Sequence, residues 1–246
     1  MNRMAILIGS NFDAKIPGVK ADIAAWRDFL CSPLGGAWNK DELVFLEDAR
    51  KADEVIAAVK CAEKADYAFI SFSGHGGIYK QRRNFLGLPE TFICLGDNEF
   101  LSEYQLNPGK DCHRCTIILD CCRKTISTLS FLVKIASVQE ASDNKIRQYF
   151  RDFFDREIEA SDMGCVKIYA TEIDNEAADQ NSFSRILIES SKSYMASHGN
   201  YVLHLNDAVA IAKQEMDKIN PQQCPQYLGG RRNHHFPFIV NPIINE

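Results

Sequence analysis

The chain has no run of about 18 consecutive apolar residues, the length a membrane-spanning helix requires. It also has no surplus of positive charge. Its 28 basic side chains against 33 acidic ones leave a formal charge of −5 at pH 7. General electrostatic binding to nucleic acid or a membrane surface leaves a basic footprint, so neither partner is expected. Neither Gly-x-x-x-x-Gly-Lys-[Ser/Thr] nor Gly-x-Gly-x-x-Gly occurs, which removes nucleotide binding by a known phosphate loop. Internal repeats and low-complexity linkers are absent as well. The opening segment Met1–Phe12 has an apolar stretch of only about six residues and no small-residue cleavage site after it, so it is expected to form a first buried strand, not a signal peptide.

What is present is an ordinary globular composition: 46% hydrophobic, 25% charged and 10% aromatic over 246 residues. A chain of that length buries a core without disulfide staples. The nine cysteines are odd in number and scattered, which predicts free thiols in a reducing, cytosolic compartment.

Short apolar runs alternate with helical periodicity. Strands are predicted at Met4–Ser10, Leu43–Leu46, Tyr67–Phe72, Thr116–Leu119, Val166–Ala170 and Phe236–Val240, with a small hairpin strand at Phe92–Leu95. Helices are predicted at Val19–Leu30, Ala52–Ala62, Phe183–Ser190 and Leu205–Met216. This alternation predicts a single α/β domain around a mainly parallel sheet. The segment Arg123–Gly164 is too long for a plain connection and reads as an insertion, either helical or mobile.

Two predicted strand ends carry reactive side chains. One runs into Ser73-Gly74-His75-Gly76-Gly77, the other into Asp120-Cys121-Cys122. In parallel α/β sheets, sites form at the carboxyl edge of the strands, so an imidazole and a thiol are expected to meet there. The imidazole takes the thiol proton and later protonates a leaving amine. Small residues around the histidine let a substrate backbone approach closely, and the N–H groups of Gly76 and Cys122 are candidates for an oxyanion hole. Taken alone, a histidine after a strand or a buried cysteine is more often structural.

These residues resemble the caspase-like cysteine proteases of clan CD, in their metacaspase and prokaryotic branch. The similarity rests on Phe69–Gly76 (strand, then Ser-Gly-His-Gly), Ile117–Cys122 (strand, then Asp-x-Cys) and the opening Ala5–Gly9 followed by Pro17–Asp22. It continues in Tyr169–Thr171, Glu176-Ala177, Asn181–Ser184, Gln223–Gln226 and Phe236–Phe238. The resemblance implies a three-layer α/β/α sandwich and a Cys–His dyad. Cys122 would be the nucleophile, His75 the general acid and base, and Gly76 and Cys122 the oxyanion donors. Cys121 is a minority alternative for the nucleophile. No cofactor is required by that chemistry.

The resemblance also implies an acidic pocket for the substrate residue before the cut, formed by Asp22 and Asp120 with Ser73 nearby. Two carboxylates and a hydroxyl suit a guanidinium or ammonium group, so cleavage of a protein substrate after Arg or Lys is expected. The plainer reading is that Asp22 caps a helix and Asp120 orders a turn. The chain departs from calcium-dependent metacaspases: Ile78–Asn84 after the histidine motif is basic, and Asp97, Asn98 and Glu99 make a thin oxygen set, so no calcium requirement is expected. The basic run reads first as a solvated loop and second as a contact for an acidic partner or anionic ligand.

Latency is expected, relieved by an activating partner, a small-molecule signal or self-cleavage. The insertion supplies Lys134, Lys145, Arg147, Arg151 and Arg156 as candidate cleavage positions. Compact proteins similar to this one occur in bacterial defence and cell-suicide systems. Cys112-His113-Arg114-Cys115 is too distant from Cys121 and Cys122 to share a zinc ion across a strand of about 15 Å. His234 and His235 read as surface or substrate-rim residues. The rival to a protease is the same fold used as a scaffold with an inert thiol; a weaker third reading is a hydrolase or transferase acting on a small amide.

Overall fold

A computed structural model describes residues 1–83, 87, 89–123, 144–177, 182–199 and 201–242. A six-stranded sheet is assembled from β1 (Arg3–Ser10), β2 (Leu43–Leu46), β3 (Tyr67–Gly74), β7 (Arg114–Asp120), β8 (Gly164–Tyr169) and β10 (Gln226–Leu228). The spatial order is β10-β8-β7-β3-β1-β2, with every pairing parallel except the edge strand β10. Every residue of β3 is buried, and so is nearly all of β1, as their unbroken apolar runs require of strands covered on both faces.

Strand alternation sorts the apolar side chains between the two faces. Ala5, Leu7, Phe69, Ile118, Val166 and Ile168 point to one side, where they meet helices α1 (Gly18–Cys31), α3 (Asn144–Ala160), α4 (Phe183–His198) and α5 (Leu205–Ile219). Ile6, Ile8, Ile70, Phe72, Ile117 and Leu119 point to the other, under helix α2 (Ala52–Lys60) and a separate antiparallel sheet. That sheet is β4 (Gly76–Arg83), β5 (Pro89–Gly96) and β6 (Glu99–Ser102) in order. Strands β9 (Val202–His204) and β11 (Pro237–Val240) form a small antiparallel pair.

Three expectations are corrected or sharpened. Residues 76–83 form strand β4, not a solvated loop, because Gly76–Tyr79 pair with β5 and the Tyr79 ring lies 4.2 Å from that of Phe92. The charged part of the insertion is a packed helix. Phe150, Phe154 and Ile158 of α3 enter the core at three- and four-residue spacing, and Arg151 holds Glu42 at 2.5 Å. Arg147 of α3 donates to the carbonyls of Cys31 and Trp38. Lys145, Arg147, Arg151 and Arg156 therefore lie on a helix, whereas Lys134 lies outside the described residues. Finally, Arg123, expected at the head of the insertion, is fully buried.

All nine cysteines are free thiols. Among the described residues, no helix is long and apolar enough to cross a membrane.

Candidate active site

The site is a product of strand register. Ser73 of β3 pairs with Asp120 of β7, so His75 and Cys122 each stand two residues beyond a matched pair on neighbouring strands. They leave the sheet together at its carboxyl edge. Gly9, the last residue but one of β1, pairs with Ser73 at the same level, and helix α1 packs so tightly there that a β-carbon on residue 9 would fall 2.6 Å from Val19 Cγ1.

The two neighbouring thiols have opposite environments. Cys121 is 1% exposed and faces the core; burial, with Cys122 and Cys94 nearby, pushes its thiol well above the ordinary value. Cys122 is half-buried, and the Ala177 N–H points at its sulfur from 3.4 Å. The next residue anchors the nucleophile strand. Arg123 stacks 3.9 Å from the Tyr169 ring and donates to Thr91 Oγ1 at 3.1 Å and Gln226 Oε1 at 2.9 Å. Its main chain exchanges hydrogen bonds with Asn175 and Asp174.

His75 is partly exposed, and its backbone carbonyl accepts from Cys94 N–H at 2.8 Å. The ring packs edge-on against Phe12, and its Nε2 lies 3.1 Å from Asp13 Oδ1. Burial raises the Asp13 carboxyl, but His75 and Lys15 outweigh it and leave it below the ordinary range. Gly76 opens β4 and rests against the Cys121 side chain.

Asp22, Ser73 and Asp120 are all buried and do converge. Asp22 does not cap α1, whose N-cap is Pro17; it sits on the helix's buried face. Its Oδ2 accepts from Ser73 Oγ at 2.5 Å, and its Oδ1 accepts from Ser182 Oγ at 2.5 Å and from Arg185 Nε at 2.9 Å. Asp120 Oδ2 accepts the Ser184 N–H at 2.8 Å, so it caps the first turn of α4 from across the fold and does not order its own turn. Burial raises both carboxyls. Asp120 is pushed up to about 7 by burial and then by the charge of Asp22, while Ser182, Ser73 and Arg185 oppose the rise at Asp22. The acidic cluster thus already holds one guanidinium, that of Arg185.

Sequence reasoning missed Asp13 and Arg185, and it gave no role to Ala177 and Ser182, which it had only placed within segments that resemble the family. The signal for Asp13 was an acidic residue in the loop just past a buried strand. The signal for Arg185 was its position in the first turn after Asn181–Ser184. Away from this edge, Glu99 is engaged by Lys51 and the Ala52 N–H, and Cys115 pairs in register with Cys165. The carbonyl of His234 accepts from Asp162, just ahead of β8, so the histidine pair lies at the opposite, amino edge of the sheet. That position is away from the edge that carries His75 and Cys122.

A family described as the caspase domain matches residues 2–235. Caspase-1 from Spodoptera frugiperda is similar in structure, with a TM-score of 0.56 and 11% identity over 92% of this chain and 86% of that one. A protein of Geobacter sulfurreducens is similar with a TM-score of 0.54 and 15% identity, over 93% of each chain. At such identities the structural likeness speaks for the fold alone. A comparison with curated proteins finds no match.

Proposed function

We propose, from the premise that this chain belongs to the caspase-domain family, that it is a cysteine endopeptidase with Cys122 as nucleophile and His75 as general acid and base. The observation that carries this reading is the β3–β7 register, which delivers His75 and Cys122 to one edge as matched extensions of Ser73 and Asp120. The burial of Cys121 supports the second thiol of the pair as the nucleophile.

In the reaction, the Cys122 thiol proton passes to His75 and the sulfur attacks the scissile carbonyl carbon. The carbonyl π electrons move to oxygen, and the N–H groups of Gly76 and Cys122 receive that oxyanion. Collapse breaks the C–N bond as the His75 proton goes to the leaving amine. Water, deprotonated by His75, then attacks the thioester, releasing the new carboxylate and restoring the thiol. No external oxidant or reductant enters the balance. The Ala177 N–H aimed at the sulfur is the kind of contact that stabilises negative charge there.

For the substrate, Arg or Lys before the cut is the reading supported by two buried carboxylates, Asp22 and Asp120, against the single Arg185 cation. An incoming guanidinium would favour the ionised form of Asp120. Arg185 seated on Asp22 supports a latent resting state, in which an internal arginine holds part of the site a substrate arginine would use.

Intact mass after exposure to a peptide chloromethyl ketone carrying Arg, beside one carrying Asp, tests this. The expected result is one arginine-dependent adduct on wild type and Cys121→Ala, and none on Cys122→Ala or His75→Ala. An aspartate-selective adduct would keep the protease and overturn the basic specificity. Unimpaired labelling of Cys122→Ala would overturn the nucleophile.

A further inference from the structure

We propose that Asp13 is the positioning residue for His75, making the site a Cys–His–Asp arrangement and not a dyad. This deepens the peptidase reading above and rests on it for its catalytic meaning. The loop after β1, which lies on the other side of β3 from β7, brings Asp13 to the imidazole from 62 residues away in sequence, with Oδ1 3.1 Å from Nε2. The carboxylate is itself held in place: Lys15 N–H donates to the same oxygen at 3.1 Å, and Lys15 Nζ lies 3.3 Å from the other. Asn11 Oδ1 accepts the Ile16 N–H at 2.8 Å and closes the turn that carries it.

The chemistry follows from the two ring nitrogens. A carboxylate accepts only, so the neutral ring paired with it carries its proton on Nε2 and leaves Nδ1 as the lone-pair nitrogen for the Cys122 proton. Once the ring takes that proton, the charge on Asp13 stabilises the imidazolium and, through it, the thiolate. Among the described residues, the charges on the loop beside this group are Lys15 next to Asp13, and Arg50, which donates to Phe12 O at 2.6 Å and is paired with Asp48. Lys15 works against the effect, and Asp13 is partly open to water, so the effect is expected to be moderate.

Asp13→Asn separates position from charge. Its Oδ1 still accepts from Lys15 N–H and from the imidazole, so the loop is retained while the charge is lost. Asp13→Ala removes both. The rate of Cys122 alkylation by iodoacetamide is followed from pH 5.5 to 10 in wild type, both variants and His75→Ala, alongside kcat and KM on an arginyl peptide. At neutral pH the Asn variant is expected to alkylate about tenfold more slowly, the weight of one pH unit, and the Ala variant more slowly still. All rates converge at high pH, where the thiolate forms without the imidazolium. kcat falls with alkylation, KM stays, and the melting temperature of the Asn variant matches wild type.

A purely structural Asp13 gives an Asn variant identical to wild type at every pH, which overturns the proposal. Absence of peptide hydrolysis in wild type and in Arg185→Ala alike, together with the expected alkylation profiles, would instead sink the peptidase reading and keep the Asp13–His75 pairing.

Discussion

Gly76 lies against Cys121 so closely that a β-carbon at position 76 would stand 2.5 Å from Cys121 Sγ and 3.0 Å from Phe92 O. Gly76→Ala must therefore displace the start of β4 or the strand end carrying Cys122. Overpacking of this kind costs about 1–3 kcal/mol. The expected outcome is a lower melting temperature and loss of peptide hydrolysis. By contrast, Cys121→Ala is expected to keep most of the hydrolytic rate, because its buried thiol takes no part. Initial rates on an arginyl fluorogenic peptide check both.

Asp120 ties stability to pH. Its carboxyl is raised to about 7 in the folded protein, whereas in the unfolded chain it titrates near 4. The folded state thus holds a proton that the unfolded state has released. The stability tied to that proton is complete below about pH 4 and is lost as pH rises toward 7. Asp120→Asn cannot ionise, and its Oδ1 can still accept from Ser184. Melting temperatures should therefore shift in favour of the variant between pH 5 and pH 8. A constant difference over that range would count against the buried, late-ionising carboxyl.

Arg185 shares Asp22 with Ser73 and Ser182. Arg185→Ala is expected to bind benzamidine about tenfold more tightly, a difference of about 1.4 kcal/mol, because an external cation no longer competes for Asp22. The same variant is expected to melt lower at neutral pH, since Asp22 stays buried with one partner fewer. Weaker benzamidine binding would mean that Arg185 helps to hold the substrate and does not stand in its place.

Helix α3 carries basic residues but offers poor cleavage positions. Arg147 is bonded to the carbonyls of Cys31 and Trp38, and Arg151 to Glu42 and the Ala37 carbonyl. A peptidase needs an extended chain, so any self-processing is expected to leave no fragment ending at Arg147 or Arg151. Arg151→Ala is expected to cost about 1–3 kcal/mol by breaking a half-buried, doubly bonded ion pair. Intact mass of the aged protein and denaturant melts test the two statements.

Much of the sheet was legible because its strands are buried on both faces, and continuous apolarity is the trace that leaves in β1, β3 and β7. Gly76-Gly77 and the basic residues after them concealed β4, since an antiparallel strand with one open face tolerates charge and glycine. The insertion already had a helix among its readings, and α3 realises it; its arginine anchors were not legible because Glu42 and the carbonyls of Cys31 and Trp38 lie 109 to 116 residues away. In the candidate site, strand-end motifs marked His75, Cys122 and Asp120. Asp22 entered only through the resemblance, which matches Pro17–Asp22 to the family's opening segment, and not through its place on α1. Asp13 and Arg185 carried no comparable local mark, because their partners lie 62 and 163 residues away and only the folded chain brings them together.

The anchoring of Arg123 on one side and of α3 on the other has a consequence for chain continuity. Strands β7 and β8 pair over six residues, and the helix-covered core mixes Ala5, Leu7 and Trp26 with Val166, Leu187 and Phe238. Neither residues 1–123 nor residues 144–246 possess a complete interior of their own. Two polypeptides with those limits would each complete the other. A nick between them would leave one particle with two additional chain ends, not two particles.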